Sequence, residues 1–186
     1  TNPVVSLPNA DQVKRALNTC EFVVVSDICL DTDTTQYADV LLPALGWGEK
    51  DGTVTNSERR ISRQRAFLAE PELAKADWWV VSQVAKKLGF SGFEFENSHD
   101  IFKEHAELSA FQNADISKRS EVENFRYFNL KGLTDLSESE YHELEPVQWP
   151  LIQKDQSNQA YAQLFANSQF SHADAKAKFI ATTAID

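Results

Sequence analysis

The chain has no methionine among its 186 residues, and only two cysteines, Cys20 and Cys29. They form no C-x-x-C pair and join no Cys/His cluster, which excludes a zinc or iron–sulfur site built from this sequence. No G-x-G-x-x-G run occurs, so an ordinary NAD-binding fingerprint finds no support. No apolar stretch approaches the length of a membrane span, and no signal-peptide pattern is present. Basic residues are outnumbered, 18 Lys and Arg against 28 Asp and Glu, for a net charge of −10. That balance argues against general nucleic-acid binding, which wants a basic footprint. Internal repeats and low-complexity tracts are also missing. The missing methionine includes an initiator, and Thr1-Asn2-Pro3 reads as a turn at the far end of an absent strand. The expectation is a piece of a longer polypeptide, and two isolated cysteines fit a reducing cytoplasm.

What is present is ordinary globular composition, 42% hydrophobic and 25% charged, with length enough for one sizeable core. Asn9 or Asp11 opens a short helix with Ala10, Val13, Ala16 and Leu17 on one face. Phe22-Val23-Val24-Val25 is a continuous run of β-formers, the pattern of a parallel strand buried on both faces. It stops at Ser26-Asp27, where open α/β sheets place ligands, although a cap or turn role suits Asp27 equally well. Asp31-Thr32-Asp33-Thr34-Thr35 supplies helix caps, and hydroxyls there also suit phosphate. Val40-Leu41-Leu42 makes a second buried strand, closed by Pro43. Further on, Ile61 to Phe67 has no clear period, and a Thr55/Glu58 capping box lets a helical turn compete with a strand. The clearest helix runs from Trp78 to Leu88, with Trp78, Val81, Val84, Ala85 and Leu88 on one face, Asp77 as N-cap and Gly89 past its end. A helix from Ser98 to Leu108 turns Ile101, Phe102, His105 and Leu108 inward. A loop is expected from Gln112 to Tyr127, a Ser137/Glu140 capping box opens a short helix, and Pro146–Pro150 is a rigid extended turn. Gln153 to Asn158 has linker composition, and Tyr161 to Phe179 carries scattered aromatics without a firm period.

One stretch organises the rest. Trp47–Arg60 packs glycines, hydroxyls, an Asn and opposite charges into a turn-rich run, and Lys50, Arg59, Arg60, Arg63 and Arg65 make a positive island on an acidic chain. Alone it reads as a solvated loop. Its place just beyond the second strand, level with Ser26-Asp27, makes it one wall of a cleft for an anion.

Thr1-Asn2-Pro3, the Val-Val-Val-Ser-Asp strand end, Ala38–Ala44, the Glu49–Arg60 run and Phe67 through Trp79 together resemble the molybdopterin oxidoreductase family. The likeness is to its third domain, one of two related domains that clasp a molybdenum bis(molybdopterin guanine dinucleotide) cofactor. It implies an α/β fold, a three-layer Rossmann-like domain with a mostly parallel sheet and an irregular helical C-terminal extension. The implied division is 1–111 for the cofactor-binding core, 112–150 for the extension, and 151–186 for a linker toward a β-rich domain. Ile101–Ser109, Tyr141 and Pro146–Pro150 tip the likeness toward nitrate reductases of the assimilatory type. Formate dehydrogenases share the pattern of the first ninety or so residues. Asn167 and Ala175 stand where the connection to the next domain is expected to carry glycine.

Carried over residue by residue, the resemblance puts cofactor contacts on Asn2, Ser26, Asp27, Lys50 and Asp77. Asn2 and Ser26 would hydrogen-bond phosphate or ribose, Asp27 and Asp77 would accept from guanine or ribose, and Lys50 would neutralise the diphosphate. Glu49, Asn56, Glu58 and Arg60 brace the loop or touch the cofactor. The resemblance further implies nitrate reduction to nitrite by oxygen-atom transfer in a cytoplasmic enzyme. Its iron–sulfur cysteines and molybdenum ligand would lie upstream of this chain, which alone would be inert. Its partners would be the remaining domains, nitrate, and a donor such as ferredoxin, flavodoxin or an NADH-linked reductase, with no nucleic acid or membrane. The same domain in a formate dehydrogenase, or a binding scaffold that has lost the cofactor, are the alternatives.

Overall fold

The computed structural model describes residues 2–113, 126–154, 165, 168, 170, 172 and 174–183. The chain forms two compact units: Thr1–Thr53 with Arg63–Ile101, and Val54–Ser62 with Phe102–Asp186.

The first unit opens on helix α1 (Pro3–Ser6), where a turn was expected. Proline suits a first helical turn, where its missing N–H costs nothing and its fixed φ is already helical. Helix α2 (Ala10–Thr19) follows Asn9, which sits at φ 57°. Strand β1 (Val24–Asp27) pairs in parallel with β2 (Val40–Pro43), aligning Val24 with Val40 and Asp27 with Pro43. The Asp39 carboxylate accepts from the Val23 N–H at 2.7 Å and ties the approach to β1 onto the start of β2. Beyond the strands, Ala44 bridges in parallel to Lys75. The expectation of strands buried on both faces fails, because burial alternates and both Val24 and Leu41 are exposed. A sheet with two strands among the described residues has too little cover to bury both faces.

Helix α3 (Asp77–Lys87) matches its expected span, and Gly89 follows it at φ 84°, where a side chain would be strained. Its inward face agrees with the expected one only at Ala85 among the buried residues. Ser82 and Ala85 are buried, while Val81, Val84 and Leu88 of the expected apolar face are exposed. The two buried residues are small, and the Ser82 hydroxyl is satisfied by the Trp78 carbonyl at 2.7 Å.

Strands β3 (Gly52–Thr55) and β4 (Arg60–Gln64) carry the chain between the units. The ambiguous run after Thr55 is therefore a strand from Arg60 onward. The capping box expected at Thr55 and Glu58 does not form. Instead the Asn56 side chain accepts from the N–H groups of Glu58 and Arg60, and Arg59 takes φ 68°, which closes a turn.

The second unit holds a continuous apolar core of Ile61, Phe102, Ala106, Leu130, Leu133, Leu136, Tyr141, Val147 and Leu151. From helix α4 (Ser98–Ala110) it buries Phe102, Ala106 and Ser109, one helical stripe. Leu108 and His105, expected inward, lie off that stripe: Leu108 is exposed, and the His105 ring packs on Phe128 at 5.2 Å. Desolvation there lowers the His105 pKa. Helix α5 (Glu138–His142) has the expected Ser137/Glu140 capping box. Strand β5 (Val147–Gln148) runs antiparallel to β4 and pairs Val147 with Ile61. The fold is thus mixed α/β, with one parallel sheet and one sheet containing an antiparallel pair. Residues 114–125 of the expected loop, the 155–158 stretch of the linker and most of 161–173 lie outside the described residues. Ala175, at an expected glycine position, has φ 57°.

Candidate functional site

Three separated stretches converge in the first unit. The Ser26 hydroxyl at the end of β1 donates to Asp77 Oδ1 at 2.8 Å, and Lys50 Nζ stands 3.8 Å from Asp77 Oδ2. Asp77 is thus no N-cap. The cap position is Ala76, which leaves the carboxylate in the first turn of α3 and turned toward the strand end. An acidic residue in that turn also complements the helix dipole. The cluster is open to solvent, with the Asp77 side chain 59% and that of Lys50 33% exposed.

Asp27 and Asn2 have other partners. Asp27 Oδ1 accepts from the Cys29 N–H at 3.0 Å, a local turn bond that leaves Oδ2 with spare acceptor capacity. Asp27 also lines a small cavity of about 130 Å³ with Ile28, Cys29, Leu30, Leu41, Leu42 and Pro43, at the carboxyl ends of both parallel strands. Asn2 Oδ1 accepts from the Thr34 hydroxyl at 2.5 Å, and its amide donates to Asp33 Oδ2 at 3.4 Å. Of the residues expected in the site, the geometry joins Ser26, Lys50 and Asp77 directly, and leaves Asp27 and Asn2 in hydrogen bonds of their own.

The hydroxyls read as phosphate ligands are used internally. Thr34 and Thr35 are buried, Thr34 accepts from the Val4 N–H, and Thr35 bonds to Thr32. The helical segment they open, Thr35–Tyr37, is a single 3₁₀ turn. Asn56, Glu58 and Arg60 brace the β3–β4 turn among themselves. Arg60 Nε donates to Glu58 Oε1 at 2.5 Å, and that bond, with the Arg60 charge and then Asn56, holds the Glu58 carboxyl below its usual range.

Of the residues that support Lys50, Glu49 was expected to brace the loop, whereas Gln64 was not foreseen. The loop 46–52 begins with the 3₁₀ turn Trp47–Glu49. Glu49 folds back to accept from the Gly46 N–H at 2.6 Å, Gln64 donates to the Trp47 carbonyl at 2.6 Å, and the Gly48 carbonyl accepts from Phe67 and Leu68 at 2.9 Å each. Past Lys50, Arg63 donates to the Gly52 carbonyl and, at 3.2 Å, to Asp51 Oδ1. The sequence signal was available in β4: an Arg and a Gln next to each other, in a strand whose next inward residue is Ile61.

The sequence that builds this α/β unit has relatives among known proteins. Residues 1–87 match the molybdopterin oxidoreductase family, and the chain belongs to that family. It is 52% identical to the nitrate reductase of Shewanella frigidimarina over 180 residues, 97% of this chain and 18% of that protein. Against the assimilatory nitrate reductase catalytic subunit of Bacillus subtilis it is 34% identical over 181 residues, 95% of this chain and 22% of that protein. Against the alpha subunit of the F420-dependent formate dehydrogenase of Methanocaldococcus jannaschii it is 39% identical over 127 residues, 68% of this chain and 19% of that protein. The chain therefore spans about a fifth of the length of these relatives. No helix among the described residues is long and apolar enough to cross a membrane, and no group of His, Cys, Asp and Glu among them has the makings of a metal site.

Proposed function

We propose that this chain is part of the cofactor cradle of a molybdenum-dependent nitrate reductase, and that Ser26, Lys50 and Asp77 face the nucleotide end of its cofactor. The observation that carries this reading is the convergence of those residues at an open strand end. The family implies a molybdenum–pterin cofactor, and the donor set suits its guanine dinucleotide form. Lys50 offers a cation to a diphosphate, Asp77 and the spare oxygen of Asp27 accept from sugar or base, and Ser26 both donates and accepts. Asn2, bonded to Thr34 and Asp33, would serve through its second lone pair and proton. In this reading the unit is a portion of a three-layer Rossmann-like domain within 1–111, with 112–150 and 151–186 as extension and linker.

When bound, the cofactor supplies the two-electron chemistry of oxygen-atom transfer. The residues of this chain bind and orient. Lys50 neutralises anionic charge beside a carboxylate that would otherwise repel it, and the Asp77–Ser26 bond keeps that carboxylate beside the lysine. The molybdenum ligand, an iron–sulfur cluster, a donor such as ferredoxin, flavodoxin or an NADH-linked reductase, and a cytoplasmic site of action belong to the same proposal for the whole polypeptide.

Nitrate is favoured over formate because the similarity to nitrate reductases runs through nearly the whole chain, second unit included, whereas the formate dehydrogenase match covers 68% of it. The test is made on the full-length polypeptide that carries this chain. Lys50→Ala should lower molybdenum and pterin content per polypeptide while the melting temperature changes little, and the parent should reduce nitrate and not oxidise formate. Full cofactor content in Lys50→Ala would refute the assignment of Lys50. Formate oxidation without nitrate reduction would refute the choice of substrate.

A further inference from the structure

The loop that carries Lys50 is gripped on both sides of the lysine by side chains that cannot reach a ligand in solvent. Arg63 is the clearest case. Its side chain is 2% exposed, yet it bears a full charge, and it spends that charge on the loop, donating to the Gly52 carbonyl and to the Asp51 carboxylate. Burying a guanidinium is costly unless its donors are met, and the loop supplies an acceptor to each of its two terminal nitrogens. Gln64, 9% exposed, does the same on the other side by donating to the Trp47 carbonyl at 2.6 Å. Glu49 closes the turn between them by accepting from Gly46. Backbone groups of residues 46, 47 and 52 and the side chain of Asp51 are thus held, and Lys50 lies in the stretch that these anchors span.

We propose that Arg63 and Gln64 are positioning residues for Lys50: from β4 they hold the 46–52 loop so that the ammonium group stands beside Asp77 and Ser26 before an anionic ligand arrives. A flexible lysine loses rotamer freedom when it binds, and a pre-set backbone reduces that loss. The proposal rests on the reading of Lys50 as a cofactor contact, and adds that its effect is transmitted from two buried side chains that touch no ligand.

The experiment is a double-mutant cycle in the full-length polypeptide, read as molybdenum and pterin retained after dialysis. Arg63→Lys keeps the charge and removes the fork, and Gln64→Leu keeps the volume and removes the donor, so both are expected to fold. Each should weaken cofactor retention about tenfold in the presence of Lys50, and by much less in a Lys50→Ala background, because partners in one network are not additive. Equal losses in both backgrounds would show a merely structural role and overturn the proposal while leaving Lys50 a contact. Undiminished retention in Arg63→Lys and Gln64→Leu, with loss in Lys50→Ala, would overturn it likewise. Undiminished retention in Lys50→Ala itself would instead bring down the functional reading, and this inference with it.

Discussion

Glu140 shows how much one exposed carboxylate can be asked to do. It accepts from the Ser137 N–H at 2.9 Å and from the Ser137 hydroxyl at 3.0 Å, and it pairs with Lys154. These contacts, Lys154 first, bring its pKa down to about 2. A depressed carboxylate contributes stability that is complete above its unfolded value of 4.5 and lost as pH falls through the folded value. Unfolding midpoints should therefore decline between about pH 4.5 and 2, and Glu140→Gln should flatten that part of the profile while leaving neutral-pH cofactor content unchanged. Ser137→Ala should cost about 1 kcal/mol in chemical denaturation, the usual value of a lost N-cap. This capping box was legible in the sequence, since its spacing is local. The role of Asp77 was only half legible. Its place at the start of a helix was clear, but whether the carboxylate folded over its own N–H groups or turned to Ser26 depended on a contact 51 residues away in the chain.

Among the elements, α3 and α4 were placed correctly along the chain and only partly correctly around their axes. Of the expected inward faces of α3 and α4, Ala85 and Phe102 are buried, but Val81, Val84, Leu88 and Leu108 are exposed, and Ser82, Ala106 and Ser109 complete the buried stripes. Small residues let backbones approach closely, and a hydrophobicity pattern gives them too little weight. The stripe makes a direct prediction. Phe102→Ala should destabilise by about 3–5 kcal/mol, since the ring is fully enclosed and lies 5.0 Å from the Tyr141 ring. Leu108→Ala, on the exposed side of the same helix, should stay within roughly 0.5 kcal/mol. Loop contacts divide in the same way. A Cβ at Gly132 would sit 2.7 Å from the backbone carbonyl carbon of Gln153, whereas at Gly48 it would meet the tip of the exposed Phe67 ring at 2.8 Å. Backbone cannot step aside as a ring can. Gly132→Ala should thus cost about 1–3 kcal/mol by overpacking and Gly48→Ala less, with thermal unfolding as the measure.

At the scale of the whole molecule, charge sets a problem that the candidate site has to solve. The chain carries −10, and the proposed ligand is also an anion. Local cation placement offsets the repulsion within the range over which charges act in salt, about 8 Å at physiological ionic strength. The positive island was legible in the sequence as a cluster. The resemblance singles out Lys50 and leaves Arg60 as a brace or a contact, and packing adds that Arg63 is buried beneath the loop, that Arg60 is bound to Glu58, and that Lys50 keeps its ammonium at the open strand end. The same excess charge acts on the fold. Like charges crowded into the folded volume repel, and more weakly in an expanded chain, so screening favours the compact state. The thermal midpoint should consequently rise as sodium chloride increases from about 10 mM to about 150 mM, the interval over which the Debye length shrinks from about 30 Å to about 8 Å. Exposed pairs such as Lys14–Asp11 and Lys75–Glu70, at 4.0 and 3.9 Å, oppose that rise only weakly, because such pairs contribute little in water. A midpoint that falls across this interval would mean that local attractions outweigh the net charge. The Lys50–Asp77 pair would then be the first to examine, since its separation of 3.8 Å at a partly exposed site leaves it open to screening.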